Sequence, residues 1–253
     1  MKISKIAQLT ALTSAVAFSS VASAALNYSQ DFEAMDPNNS AALADDGWLV
    51  GANVFDSTGT NFIYNYFAFP APNVPGGGPA FSGVATGEGG APQGNNQFNT
   101  YNDYNNADHT NGSGNRIEAV IFRDVGILDA SDVGKTYDLL ADAKLGNLGG
   151  ATTADMFIKV VKTSDLSFAD LGTNATDTTA VGPGWQGIST SILITAGMVG
   201  ETLQIGFRNT ASNGDSSGVF YDNVNVSAVP VPAAVWFMGS ALLGLAGVKR
   251  SRK

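Results

Sequence analysis

Cysteine is absent from the 253 residues and histidine occurs once, at His109. Disulfide staples, thiolate zinc sites, iron–sulfur clusters, a cysteine nucleophile and any cluster of histidine ligands are thereby excluded. Charge is sparse as well: 14% of residues are Asp, Glu, Lys or Arg against 44% hydrophobic. That balance fits neither a disordered polyelectrolyte nor a polytopic membrane protein. Basic side chains are scarcest in the long middle of the chain. Between residues 25 and 228, 22 carboxylates face 7 bases, leaving −15 where the whole chain carries −9. A body so charged repels nucleic acid and attracts cations. There is no P-loop.

The two ends are built differently from the middle. Lys2 and Lys5 open the chain, an apolar and small-residue stretch follows from Ile6 to Val21, and Ala22-Ser23-Ala24 forms the A-x-A pattern of a signal-peptide cleavage site. Residues 1–24 are therefore expected to be a secretory signal peptide handled by the Sec export machinery. At the other end Val229-Pro230-Val231-Pro232 precedes an uncharged run from Ala233 to Val248, closed by Lys249-Arg250-Ser251-Arg252-Lys253. As a helix those 16 residues span roughly 24 Å, a marginal fit to a hydrocarbon core of about 30 Å. The basic cluster would stay cytoplasmic, which leaves the body on the far side of the inner membrane, in agreement with the signal peptide.

Pro motif, short apolar helix and basic stop, in that order over residues 229–253, resemble the tail of PEP-CTERM proteins. Val231 stands where the family's name-giving motif has Glu. The resemblance implies a sorting segment that enters the inner membrane transiently and is read by an exosortase-type enzyme. In that family this enzyme belongs to Gram-negative bacteria that make exopolysaccharide. It also implies delivery to the cell surface or extracellular matrix.

Between the ends the pattern is one of strands. In 136–144, Tyr137, Leu139, Ala141 and Ala143 alternate with Asp138, Asp142 and Lys144, and in 201–208 Leu203, Ile205 and Phe207 alternate with polar residues. Similar stretches at 27–33, 47–55, 61–69, 80–86, 116–123, 154–162, 185–195 and 218–227 make about ten strands separated by Gly, Asn, Asp and Pro turns. The expectation is an all-β, antiparallel β-sandwich, a single domain over 25–228, with long turn-rich segments at 70–79, 87–97 and 99–115. Trp48 and Trp185 each precede an apolar strand and are expected in the core. By strict alternation in the last strand, Asp222 shares a face with Phe220, Val224 and Val226. A carboxylate there needs a base such as Arg208, a set of donors or a cation.

Phe32-Glu33, Gly47-Trp48 and Tyr221-Asp222-Asn223-Val224 resemble the opening and closing strands of jelly-roll domains of the galactose-binding and carbohydrate-binding-module type. That resemblance implies a structural Ca²⁺ held by Glu33 and Asp222, with backbone carbonyls completing its shell. Hard oxygen ligands in an exported, cation-poor domain suit that ion. Aromatic residues alternating with amides in 61–69 and 99–106 nominate Tyr64, Asn65, Tyr66, Tyr101 and Tyr104 as a sugar-binding surface, since pyranose C–H faces stack on rings and amides bond hydroxyls. For catalysis the chain offers little. His109 has Asp108 and Ser113 nearby without triad geometry, and among the acids Glu88 and Glu118 are the least arbitrary pair. The reading is a noncatalytic surface or matrix protein that binds extracellular polysaccharide. A purely structural or adhesive matrix protein and a polysaccharide hydrolase or lyase are its alternatives.

Overall fold

The computed structural model describes residues 25–73 and 81–229, apart from 105, 111 and 213. The expected signal segment with Ala22 and Ala24, residues Pro230, Val231 and Pro232, and the apolar run 233–248 lie outside the described residues. No helix among the described residues is long and apolar enough to cross a membrane.

Twelve strands are present: β1 (Asn27–Gln30), β2 (Trp48–Phe55), β3 (Phe62–Pro70), β4 (Ser82–Thr86), β5 (Asn96–Thr100), β6 (Arg116–Ile127), β7 (Thr136–Leu148), β8 (Thr153–Val161), β9 (Asp170–Asp177), β10 (Gln186–Leu193), β11 (Thr202–Ser212) and β12 (Ser217–Val229). They form two six-stranded antiparallel sheets stacked as a jelly-roll sandwich. Sheet A runs β10-β7-β12-β5-β4, with β1 also on β12; sheet B runs β3-β2-β6-β11-β8-β9. One flank of the sandwich is stitched by side chains. Asn174 Nδ2 donates to the Ser191 carbonyl at 2.5 Å and Thr176 Oγ1 to that of Ser189 at 2.6 Å, joining β9 to β10.

Alternation places the core as expected in β7 and β11: Tyr137, Leu139, Ala141, Ala143, Leu203, Ile205 and Phe207 are all buried between the sheets. At the centre Trp48 packs on Phe98 with ring centroids 4.9 Å apart, and Phe207 stacks on Tyr221 at 3.9 Å. The Tyr221 hydroxyl is satisfied by Thr178 Oγ1 at 2.7 Å, so a polar atom survives inside an apolar layer. A second polar knot ties the sheets together. Asn102 Nδ2 donates to the carbonyls of Ile117 and Asn209 at 2.6 and 2.8 Å, while Asn209 Nδ2 donates to the Ser217 carbonyl. It links the loop after β5 to β6, β11 and β12.

Three expectations need correction. Strands β5 and β9 were not among the ten: Asn96, Gln97 and Thr100 of β5 are polar yet buried, and β9, at the edge of sheet B, has no apolar alternation. Trp185 is half-buried and lies outside the core cluster, held by its indole N–H on the Glu88 carbonyl at 3.0 Å. Last, the alternation in β12 breaks. Asp222 pairs with Asp142 of β7 but Asn225 pairs with Leu140, so β12 carries one extra residue, a bulge with Asn223 at φ 48°. The inward set is therefore Val219 and Tyr221 before the bulge and Val224 and Val226 after it. Asp222 belongs to the outer face with Phe220.

Because Phe207 contacts Trp48, Phe98 and Tyr221 together, truncation to Ala opens a cavity that no single neighbour can fill. Phe207→Ala is expected to lower the unfolding free energy by about 3–5 kcal/mol, read as a fall in the urea midpoint at unchanged slope.

Candidate functional site

The outer face of sheet B gathers polar side chains from five strands. Register places Asn65 (β3) beside Asn53 (β2), Asn53 beside Glu118 (β6), and Arg208 (β11) beside Asp155 (β8). Asn53 Nδ2 donates to Glu118 Oε1 at 2.9 Å, and Arg208 Nε donates to both Asp155 oxygens at 2.9 and 3.1 Å. At about 4.8 Å between strands the band is roughly 19 Å long. Burial pushes the Asp155 carboxyl up in spite of Arg208 and pushes Lys159, the next outward residue but one on β8, down.

Two glycines shape this face. At Gly51 the space a Cβ would fill is taken by the Phe67 ring. Phe67 is thereby laid against the backbone of β2, and it remains 45% exposed. At Gly206 the Phe157 ring takes the same space, and Phe157 is buried beneath the Arg208 guanidinium and the Lys159 ammonium, 5.4 and 5.1 Å from its centroid. The result is one open ring beside a band of amides, carboxylates and a guanidinium, an arrangement able to stack a sugar ring and bond its hydroxyls.

The two aromatic stretches singled out in the sequence come together, though not on that face. Tyr64 and Tyr66 point toward the interior side of β3 and stack at 6.2 Å. Their hydroxyls donate to Asp108 Oδ2 at 2.6 Å and Asp103 Oδ2 at 2.9 Å, and Asn106 Nδ2 donates to both. Tyr101 and Tyr104 stack at 6.2 Å; Tyr101 donates to the Ser82 carbonyl at 3.3 Å and Tyr104 bonds Ser217 Oγ at 2.6 Å. The tyrosines thus fasten the loop after β5 across the end of the sandwich, and burial raises the pKa of Tyr66 and pushes that of Tyr101 up to about 12. Asn65, of opposite parity, is the member of this set on the outer band.

Asp222 lies at the bulge of β12, within reach of the Glu33 charge. Asp222 is wholly buried; its Oδ1 accepts from Asn223 N at 2.6 Å and its Oδ2 has no hydrogen-bond partner among the described residues. Burial, reinforced by the Glu33, Asp142 and Asp31 carboxylates, pushes Asp222 up to about 7. Glu33 Oε1 accepts from the backbone N–H groups of Asn95 and Asn96 at 2.7 and 2.6 Å, tying the start of β5 to the turn after β1. Asp142 accepts from Gln93 and Asn223, both at 2.8 Å. An open cleft of about 330 Å³ lined by Ser29, Gln30, Asp31, Asn223, Val224 and Asn225 adjoins the bulge. Among the described residues no three His, Asp or Glu side chains converge as a ready-made metal cage. A cation here would rest on Asp222 first. The orphaned, desolvated Oδ2 among neighbouring carboxylates fits a hard cation better than it fits a basic side chain, because Arg208, the base expected from sequence, is engaged by Asp155 in the other sheet.

Glu88 and Glu118 do not form a pair. Glu88 is bound to Lys144 Nζ at 2.8 Å outside sheet A, whereas Glu118 faces outward from sheet B. His109 sits in the four-residue turn Ala107–Thr110. Sequence reasoning missed Phe67 and Asp155. The signal available for Phe67 was its opposite parity to Tyr64 and Tyr66 next to a strand carrying Gly51; nothing local marked Asp155.

No family model matches the chain, and no curated protein matches it. Among solved structures it is similar to the enzymatically active domain of tailspike protein 4 of bacteriophage CBA120, at 13% identity and a TM-score of 0.41 over 58% of this chain and 18% of that one. The chain therefore spans about a fifth of that tailspike's length. It is similar to the Stig cyclase Fisc from Fischerella sp. TAU, at 16% identity and a TM-score of 0.43, covering 81% of this chain and 90% of that one. A family 16 carbohydrate-binding module aligns at 14% identity and a TM-score of 0.36, over 58% and 84% of the two chains. Identities and scores this low assign no family.

Proposed function

We propose that the chain is an exported, noncatalytic protein of the cell surface or extracellular matrix whose jelly-roll body binds polysaccharide across the outer face of sheet B. The observation that carries this reading is Phe67, laid on Gly51 and open to solvent beside the Asn65–Asn53–Glu118 and Arg208–Asp155 groups. A ring fixed by its own backbone contact loses little freedom on binding, and carboxylates beside amides offer both acceptors and donors to sugar hydroxyls. Export through the Sec machinery and sorting by an exosortase-type enzyme are supported by the two chain ends, 1–24 and 229–253. Ca²⁺ is proposed as the structural ion at Asp222, with Glu33 and backbone carbonyls contributing. When bound it would neutralise the desolvated carboxylate and hold the bulge against the β4–β5 loop.

The glycan reading is tested with the purified protein and a polysaccharide panel that includes the host's own exopolysaccharide. Saturable binding is expected, and Phe67→Ala should weaken it about fivefold, the loss of one ring contact of roughly 1 kcal/mol. Absence of binding to every member would leave the structural matrix role.

Calcium loading is expected to raise the melting temperature and EDTA to reverse it, with Asp222→Asn indifferent to both. In EDTA the pH dependence has a definite sign. The Asp222 carboxyl is raised from 3.8 to about 7 in the folded chain, so the folded state holds its proton more tightly than the unfolded state. Stability then falls as pH rises from about 4 through about 7 and levels off above. Asp222→Asn should remove that slope, and a melt series across the range reads it directly.

Sorting predicts that mass spectrometry of the surface-released protein finds a terminus upstream of Lys253. Recovery of the intact tail on released protein would reject it.

A further inference from the structure

The opposite face of the sandwich carries an aromatic cluster that neither the core nor the sheet B band uses. Outside sheet A, Lys144 of β7 lies beneath two rings: its Nζ is 5.9 Å from the Trp185 centroid and 5.7 Å from that of Phe220. Glu88, on the loop between β4 and β5, accepts from Lys144 Nζ at 2.8 Å through both its carbonyl and its carboxylate, and its carbonyl also accepts the Trp185 indole N–H at 3.0 Å. Indole, ammonium and carboxylate thus hold one another in place. Phe220 pairs in register with Asn99 of β5, and the buried Asn99 Oδ1 has no hydrogen-bond partner among the described residues.

Trp185 and Phe220 are both only half-buried. Trp185 has had its polar edge satisfied internally, so the part it presents to solvent is apolar surface. The cluster therefore combines two anchored rings and an ion pair with unspent donor and acceptor capacity. That is the chemistry that meets a sugar ring: C–H faces against aromatic carbon, hydroxyls against charged groups.

We infer that Trp185, Phe220, Lys144 and Glu88 form a second carbohydrate-binding patch, back to back with the one on sheet B, so that a single chain holds two polysaccharide strands and cross-links them. This rests on the glycan reading above and adds valence to it. Two sites on opposite faces cannot be occupied by one straight oligosaccharide, so the second site contributes through bridging between strands.

The test uses the whole exported protein with soluble cello-, xylo-, manno- and galacto-hexaoses and the host exopolysaccharide. Calorimetric titration with the hexaose that binds should give two sites per chain. Trp185→Ala and Phe220→Ala should each leave one, Phe67→Ala should weaken the other, and the double variant Trp185→Ala/Phe67→Ala should leave one site of about fivefold lower affinity. Light scattering of dilute exopolysaccharide should rise with wild-type protein and fail to rise with Trp185→Ala, whose melting temperature serves as the folding control. One site per chain, indifferent to Trp185→Ala and Phe220→Ala and sensitive to Phe67→Ala, would overturn the second patch and leave the first standing. No binding of any probe would overturn both.

Discussion

One extra residue in β12 decides more of this molecule than any other local feature. The bulge at Asp222 and Asn223 reverses the parity of the strand, so that Val219 and Tyr221 point inward before it and Val224 and Val226 after it. It also divides the far edge of β12 between two partners: β5 pairs with Val219–Tyr221 and β1 with Val224–Ser227. The first strand can enter sheet A only where the bulge has turned the chain. The cost is a carboxylate excluded from water among other carboxylates, and everything that gathers there offsets part of it, from the Asn223 N–H on Asp222 to Gln93 and Asn223 on Asp142.

That constraint organises the outer face of sheet A. The β4–β5 loop is held down by Glu33 through two backbone N–H groups and by Gln97, whose side chain accepts from Glu88 N and donates to the carbonyls of Gln93 and Gly94. The same loop delivers Glu88 to Lys144 and Trp185. The metal proposal and the second carbohydrate patch therefore share a loop, while the band on sheet B stands apart on the other side of the core. With −15 over the body, neutral glycans meet either face without long-range repulsion, whereas polyanions must overcome it.

The tyrosines show how the same composition serves packing instead of binding. Tyr64, Tyr66, Tyr101 and Tyr104 are aromatic residues beside amides, as a sugar site requires, yet each hydroxyl already has a partner in Asp108, Asp103, Ser82 or Ser217. A stretch of sequence specifies which side chains alternate, and only the partner strand decides whether their polar ends face one another or the solvent.

Alternation and turn residues were enough for the fold class and for most strands, because period-two burial is a local property of the chain: Tyr137-Leu139-Ala141-Ala143 and Leu203-Ile205-Phe207 could bury one face in no other regular way. β5 escaped that logic because, Phe98 apart, its buried residues are amides and a hydroxyl, whose burial is permitted only by partners distant in sequence such as Asn209 for Thr100 and Met35 for Asn96. Trp185 escaped it because its neighbour on the outer face, Glu88, is 97 residues away. Local pattern sufficed for an antiparallel sandwich and ten of its twelve strands, the charge of the body, the lack of thiol and histidine-cluster chemistry and the unusual composition of both ends. Tertiary structure alone decided that Asp222 sits outward and buried, that Arg208 belongs to Asp155, and that Phe67 lies open on Gly51. Each of these depends on a bulge or on contacts between strands far apart in the chain, and alternation along one strand carries no information about either.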